Sequence, residues 1–447
     1  YNYNNMQIKH VITGILMSAA CCSAVAQSDT TRVWGLQECI DYAKAHNIDL
    51  QRSRINLEEY RIDTKRAKAQ LFPSLAFSTS HSYGNTPFAD SSQGIAKNVY
   101  DGSYNLNAAW TIFQGGKLLT SVKQQKLQEE SQQYLIEEAT NNIELSILRQ
   151  FLQILYAEES IEICRQTLLV SERQLDRAQK LLDAGSLSKS DFAQINAQYS
   201  ENKYQLVVAE ANRDQQLLEL KQMLELGISE ELALKIPEIG DIDILSPLPA
   251  KQDIYNTALS FIPSIQSSRV NEKIATLQKK IASGGYAPTL TLNAGVGTGS
   301  TSNDIYSFGT QMKQRLNENI GLTLSIPIYS KRENRSAVQK TKLQIRNSRL
   351  ETQNAEKELR NQVETAWLDA NSSQIRYTAA RDQVESAEQT YMLVEEQFNL
   401  GIANTLELLT AKNDLLNARM EELQAKYMAL LNLKLLDFYS HKEITLN

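Results

Sequence analysis

The chain has 447 residues, a formal net charge of −6 and 42% apolar residues. A chain of this length exceeds one ordinary globular core, so two units or an elongated shape are expected. The apolar content is typical of folded proteins and excludes a chain that is disordered throughout. The acidic balance argues against a surface that binds nucleic acid.

The first 26 residues have the features of a secretory signal peptide. Lys9 precedes an apolar stretch at residues 11–20, and Ala24-Val25-Ala26 forms a small-residue cleavage site. We therefore expect that the protein is exported and that residues 1–26 are removed.

The four cysteines leave two alternatives open. Cys21 and Cys22 lie near the cleavage site, where one of them is a candidate for lipidation. Cys39 and Cys164 follow it; a core position is the default interpretation for Cys164, and a disulfide between the two is the alternative. After the signal peptide no stretch reaches about 18 uninterrupted apolar residues, so no transmembrane helix is predicted. If the exported chain crosses a membrane, it does so as a closed barrel.

Two long runs without glycine or proline predict helical hairpins. In residues 117–184 and 331–400, apolar side chains recur every three or four positions, as in a coiled-coil seam. Gly185 and Gly401 follow these runs, and glycine ends a helix without the steric cost of a left-handed backbone. Helical patterns resume after each glycine, so the hairpins cover about residues 117–226 and 331–440.

Two glycine-rich regions predict β-hairpins. Residues 73–113 and 286–329 contain alternating sequences such as LAFSTSHSY and IGLTLSIPIY around polar loops. A helical segment precedes each hairpin: residues 36–72, with a break near Asn47, and residues 259–283.

The order of elements occurs twice, which predicts a tandem duplication. Gly401 lies 216 residues after Gly185, and the sequences that follow the two glycines align at this offset. Each unit reads helix, β-hairpin, long helix, tip, helix. The predicted domains are a first repeat at residues 27–236, a surface connector at 237–250 and a second repeat at 251–447.

Four strands per chain are too few to close a barrel, which needs about eight. An open sheet edge in lipid is not tolerated, because its backbone groups lack hydrogen-bond partners. The strands must therefore be completed by other chains, and three copies would supply about twelve. The predicted fold class is mainly α with a membrane β-barrel part.

Several short sequences carry a resemblance to one family. F-P-S-L and A-P-T-L open the two strand regions, W-T-I-F-Q-G-G-K and I-P-I-Y close them, and the tips read G-x-x-x-x-x-D and G-x-x-x-x-x-E. In this order and in both repeats, they resemble the TolC-type outer membrane efflux proteins over residues 27–447. The resemblance implies a homotrimer with one 12-stranded barrel in the outer membrane and a long periplasmic helical tunnel.

The same resemblance implies the function and the partners. It predicts an exit duct of a tripartite efflux or type I secretion system, without a cofactor. The implied partners are outer membrane lipid, a hexameric periplasmic adaptor (membrane fusion protein) and an inner-membrane pump of the RND or ABC type. In such systems the partner pump selects the cargo.

The resemblance also predicts which residues act at the tips. It assigns adaptor docking to Gly185, Ser186, Leu187, Ser188, Gly401, Ile402, Ala403, Asn404 and Thr405. It assigns a pore constriction to Asp191, Glu407 and Thr410. Ala403 and Thr410 stand where some relatives carry an arginine and a second acid, so their gating bonds are not transferred. Two alternatives stay open: the glycines act only as helix ends, and the acids only as helix-start residues.

Other classes of function have less support in the sequence. No nucleophile motif, phosphate loop or paired-acid pattern indicates an enzyme. His46, His81 and His441 are scattered without the spacing of metal ligands. The alternative function is a periplasmic coiled-coil adaptor, which would also carry long hairpins but would lack the two strand regions.

Overall fold

The computed structural model describes residues 33–88, 97–237 and 244–446. The expected signal peptide, with its two cysteines, lies outside the described residues. So do residues 238–243 of the expected connector.

The described elements follow the duplicated order that the sequence predicts. In the first half they are β1 (Val33–Trp34), α1 (Leu36–His46), α2 (Ile48–Ala69), β2 (Ser74–Asn85), β3 (Asn98–Gln114), α3 (Lys117–Asp183), α4 (Lys189–Met223) and β4 (Ala233–Leu234). In the second half they are α5 (Lys251–Phe261), α6 (Pro263–Ser283), β5 (Thr289–Thr301), α7 (Phe308–Gln314), β6 (Asn317–Ser325), α8 (Glu333–Asn399) and α9 (Thr405–Tyr439).

The four long helices show how closely the two repeats match. Helices α3 and α8 both have 67 residues, and α4 and α9 both have 35. At 1.5 Å per residue, the longer pair spans about 100 Å. None of the described helices combines the length and the apolar character needed to cross a bilayer.

The start of α8 differs from the prediction that it begins at Lys331. Lys331 and Arg332 have left-handed backbones, with φ of 47° and 68°, and the helix begins only at Glu333. The corresponding residues of the first repeat, Gly115 and Gly116, have φ of 58° and 71°. Both repeats therefore make the same turn before the long helix, although only one has the glycines that favour it.

Two further boundaries differ from the prediction. Strand β6 ends at Ser325 and not at Tyr329, because Ser325 pairs with Thr289, the first residue of β5. The predicted helix over residues 259–283 is in fact two helices, α5 and α6, which meet at Ile262. Pro263 occupies the first turn of α6, where its missing N–H costs nothing.

The largest core surrounds the middle of α3. Helices α1, α3, α4 and α9 contribute fully buried side chains, among them Ile40, Phe151, Leu220 and Leu430. The short parallel pair of β1 and β4, which the sequence did not predict, lies beside this core. Cys39 and Cys164 are both buried, and no disulfide joins them.

The described part of the connector is not a simple surface segment. Ile244 is fully buried against Tyr377 of α8 and Ala429 of α9. The Gln374 side-chain amide donates to the carbonyls of Ile244 and Ser246 at 2.8 and 2.9 Å. The interpretation of this stretch as a surface connector is therefore wrong at Ile244, because periodicity gives no signal for a single anchoring residue.

The two hairpins form one antiparallel sheet in the order β2-β3-β5-β6. One row of directly paired residues is Leu75, Ala108, Ala294 and Ile320, and the adjacent row on the opposite face is Ala76, Asn107, Gly295 and Asn319. One face is thus apolar and the other polar, as in a barrel with lipid outside and water inside. Strands β2 and β6 are the two edges of this sheet.

Candidate functional site: the helical tips and the buried cluster beside them

Glycine ends the incoming helix at both tips. Gly185 and Gly401 have φ of 73° and 76°. Their N–H groups donate to the carbonyls of Leu182 and Phe398 at 2.9 and 3.0 Å. Beyond the glycine and its neighbours in the chain, no atom of the described residues lies within 4 Å of the position that a Cβ would take at either glycine. The turns are therefore helix C-caps whose outer surface is open.

Side-chain caps begin the outgoing helices. The Ser188 hydroxyl accepts from the Asp191 N–H at 3.1 Å and donates to the Asp191 carboxylate at 2.6 Å. Asn404 Oδ1 accepts from the Glu407 N–H at 2.9 Å, and Glu407 Oε2 accepts from the Asn404 N–H at 3.0 Å, which completes a capping box. Both predicted constriction acids therefore have a structural role at a helix start.

The predicted docking residues differ in their exposure. Leu187 and Ala403 are half-buried, whereas the exposed members are Gly185, Ser186, Ser188, Gly401, Ile402 and Asn404. The Ile402 side chain is 73% exposed. Thr405 is only 3% exposed, so other residues of this chain cover its side chain and a docking partner cannot contact it directly. Of the predicted constriction residues, Glu407 and Thr410 are exposed and Asp191 is half-buried.

The two hairpins meet close to their tips. A cavity of about 340 Å³ is lined by side chains from all four long helices. These side chains include Arg177 of α3, Ile195 of α4, Phe398 of α8 and Leu408 of α9. The tips of one chain therefore lie side by side and form a single structural region.

A buried lysine joins the hairpins near this region. Lys412 of α9 is 5% exposed, and its ammonium group donates to Ser171 Oγ at 2.6 Å and to Gln174 Oε1 at 2.9 Å. The Asn202 amide of α4 also donates to Ser171 Oγ. Ser171 precedes Gly185 by 14 residues, which is about 21 Å along the helix.

The cluster extends to the fourth long helix. The Gln174 amide donates to the Tyr391 hydroxyl at 3.0 Å, and this hydroxyl donates to Glu395 Oε1 at 2.9 Å. Hydrogen bonds thus connect α3, α4, α8 and α9 through buried or half-buried side chains. A sliding motion of one hairpin against the other must break several of them.

Burial dominates the electrostatics of this cluster. It lowers the pKa of Lys412 to about 8, and the nearby Glu395 carboxylate opposes the shift only in part. Burial and the hydrogen bond to Glu395 raise the pKa of Tyr391. Desolvation of the ammonium group therefore has a free-energy cost near neutral pH.

Sequence reasoning missed this cluster. Lys412 lies between Leu408 and Leu415 on the apolar stripe of α9, and a basic residue on a seam is the signal that could have revealed it. Its partners could not have been found in the same way, since Ser171 is 241 residues distant in sequence.

The sequence predicts no metal site because its histidines at positions 46, 81 and 441 are scattered, and the structure shows what surrounds two of them. His46 stacks on Tyr42 with ring centroids 4.0 Å apart, and His81 lies 2.8 Å from the Tyr100 hydroxyl. Among the residues that the structure describes, no group of three or more His, Cys, Asp or Glu side chains is arranged to hold a metal ion.

Comparison with known proteins gives consistent matches. A family model described as "Outer membrane efflux protein" matches residues 39–225 and 254–439. The chain is 23% identical to outer membrane efflux protein BepC of Brucella suis over 93% of this chain and 86% of BepC. It is 24% identical to outer membrane protein TolC of Escherichia coli over 91% of this chain and 82% of TolC. The crystal structure of the Campylobacter jejuni CmeC outer membrane channel aligns with a TM-score of 0.77 and 20% identity, over 92% of this chain and 87% of CmeC.

Proposed function

Since the chain belongs to the outer membrane efflux protein family, we propose that three copies assemble into one duct that docks onto a periplasmic adaptor. The chain is an outer membrane channel with a periplasmic helical tunnel, an exit duct of efflux or secretion systems and not an enzyme. This family sets aside the alternative that the chain is itself the adaptor.

The unpaired edges of the sheet support the homotrimer. Strands β2 and β6 each have one side without a partner strand among the described residues, and the apolar face of the sheet requires lipid. Pairing β6 of one protomer with β2 of the next satisfies these groups, and three protomers close a barrel of twelve strands. The barrel then has the even strand number that bacterial barrels have.

The two tips support docking onto a hexameric adaptor. Each chain has two tips that end in the same way, so a trimer presents six, one for each adaptor subunit. The open surface at Gly185 and Gly401 allows a partner helix to approach the backbone closely, and Ile402 supplies an exposed apolar contact. An RND or ABC-type pump in the inner membrane would complete the assembly and would select the cargo.

A constriction at Asp191, Glu407 and Thr410 is the remaining part of the proposal. Three-fold symmetry turns each of these residues into a ring of three if it faces the axis. Opening would then require α8 and α9 to move against α3 and α4, which the cluster around Lys412 resists.

Chemical crosslinking of the detergent-purified protein tests the trimer. We expect the crosslinked ladder to stop at three chains, because the barrel leaves no further edge. A folded protein that gives only single chains, with its strands intact by circular dichroism, would refute the proposal. Fractionation adds a second measurement: the protein should stay with outer membranes after a carbonate wash.

A further inference from the structure

Positive charge is concentrated where the sheet meets the long helices. We consider the twelve residues that adjoin each strand on this side, which are residues 62–73, 115–126, 277–288 and 326–337. These segments hold eleven Lys or Arg residues and two Asp or Glu residues. The whole chain, in contrast, has 46 Lys or Arg and 52 Asp or Glu residues. An acidic protein therefore carries a strongly basic zone at one level of its structure.

Most of these cations are available to a partner. Arg66 pairs with Asp63 at 3.2 Å, and it alone among the basic residues of these segments has an ion pair with a described residue. We define the basic collar as the eight exposed cations of these segments that have no ion pair with a described residue: Lys65, Lys68, Lys123, Lys126, Lys280, Lys331, Arg332 and Arg335.

Two residues of the basic collar have an unfavourable backbone. Lys331 and Arg332 adopt left-handed φ at the positions where the first repeat has Gly115 and Gly116. A Cβ makes this conformation costly, and residues in such strained conformations cluster at functional sites. The second repeat therefore places two cations at this turn against the conformational preference of its own backbone.

Aromatic side chains show which environment the basic collar faces. Phe72, Phe113, Tyr286 and Tyr329 are exposed next to the same turns. A girdle of aromatic residues marks the boundary between the hydrocarbon and the headgroups in membrane barrels. The basic collar thus lies at the level of the phospholipid headgroups in the periplasmic leaflet.

We propose that the basic collar binds the phosphate groups of anionic phospholipids in the periplasmic leaflet, with Lys331 and Arg332 as its main contacts. Guanidinium groups bind phosphate with two parallel hydrogen bonds, and an ammonium group contributes as a point charge. Cations at this depth lie within a Debye length of the anionic surface, so the attraction is not screened out. The inference rests on the outer membrane placement of the channel and adds the chemical class of lipid that it binds.

Native mass spectrometry of the detergent-purified protein, titrated with phosphatidylglycerol or phosphatidylcholine, tests this inference. The wild type should retain phosphatidylglycerol more strongly than phosphatidylcholine. Each cation near an anionic surface contributes about a fivefold change in binding, so Lys331→Gly/Arg332→Gly should weaken phosphatidylglycerol binding by more than tenfold. This variant restores the sequence of the first repeat, so the turn itself should fold. The matched control is Lys189→Gln/Lys203→Gln, two exposed lysines of α4 far from the sheet.

Three outcomes would overturn the proposal. They are equal retention of both lipids by the wild type, unchanged retention by the collar variant, or an equal loss in the control variant. Co-sedimentation with purified peptidoglycan that depends on Lys331 and Arg332, without a change in lipid retention, would assign the basic collar to the cell wall instead. The mass of the protein in the same spectrum reports the trimer separately, so a failure of the assembly is distinguished from a failure to bind lipid.

Discussion

Replacing Lys412 by methionine tests whether the buried charge of this lysine lowers the free energy of unfolding. Methionine has a similar length and no charge, so it fills the same space between Leu408 and Leu415. Burial lowers the pKa of Lys412 from 10.5 to about 8. Because one pKa unit corresponds to about 1.4 kcal/mol, the desolvated ammonium group destabilises the fold by about 3 kcal/mol at pH 7.

The sign of the pH dependence follows from proton binding. Between pH 8 and pH 10.5 the unfolded chain binds the Lys412 proton more tightly than the folded chain. The free energy of unfolding therefore rises with pH in this window. The destabilisation by the buried ammonium group is fully present below pH 8. Losing the hydrogen bonds to Ser171 and Gln174 costs about 1 kcal/mol each at any pH. Lys412→Met should thus be about 1 kcal/mol more stable than the wild type at pH 7, less stable than it at pH 10, and about 2 kcal/mol less stable above pH 10.5.

The midpoint of thermal loss of helical circular dichroism, measured in detergent at pH 7 and pH 10, is the assay. The wild type and Lys412→Met should exchange their order between the two pH values, with shifts of a few degrees. Other lysines and tyrosines titrate in the same range, so only the difference between the two proteins is interpreted. Lys189→Met, at an exposed position, should show no such exchange. Equal shifts for Lys412→Met at both pH values would refute the reasoning, because Lys412 would then act only as a hydrogen-bond donor.

Three further substitutions test the tips and the seam. Asn404→Ala removes the capping box of α9 and should cost about 1 kcal/mol, so amides of residues 405–408 should exchange about fivefold faster. Unchanged exchange would show that the cap contributes nothing. Glu407→Gln should reduce the block of single-channel conductance by millimolar divalent cation, because a ring of carboxylates attracts cations and offers them oxygen ligands. Equal block in both proteins would leave Glu407 as a helix-start acid only. Val384→Asp places a charge on the half-buried seam of α8 and should destabilise the hairpin by about 1–3 kcal/mol. Gln389→Asp on the exposed face is its control, and an equal loss of melting temperature in both would contradict the seam assignment.

Local signals explain what could be predicted from the sequence. Gly185 and Gly401 end helices because a left-handed residue is needed there, and Asn404 begins one because its side chain accepts from the Glu407 N–H. The hairpins were predictable from the spacing of apolar residues, since the same spacing is repeated over many turns of helix. Such features depend on neighbours in sequence, so one chain is sufficient to recognise them.

Features that depend on distant residues were not predictable. The turn at Lys331 and Arg332 contradicts the preferences of its own residues, and the reason lies in the surrounding structure. Ile244 is buried because Tyr377 and Ala429 cover it, and neither is near it in sequence. A single sequence does not indicate a contact between two residues that are distant in the chain and share no periodic pattern.

The buried cluster also shows that the duplicated backbone does not make the two hairpins equivalent. At the offset of 216 residues that relates the long helices, Asn196 corresponds to Lys412, and Ala387 corresponds to Ser171. Leu175 likewise corresponds to Tyr391, so neither the cation nor its partners have counterparts in the other repeat. In the proposed trimer with its six similar hairpins, a lysine that finds acceptors in only one arrangement disfavours every pairing that leaves its charge buried and unpaired. Side chains, and not the backbone, therefore decide which hairpin packs against which, and Lys412→Met should reduce this selectivity even at neutral pH, where it raises the stability of the fold.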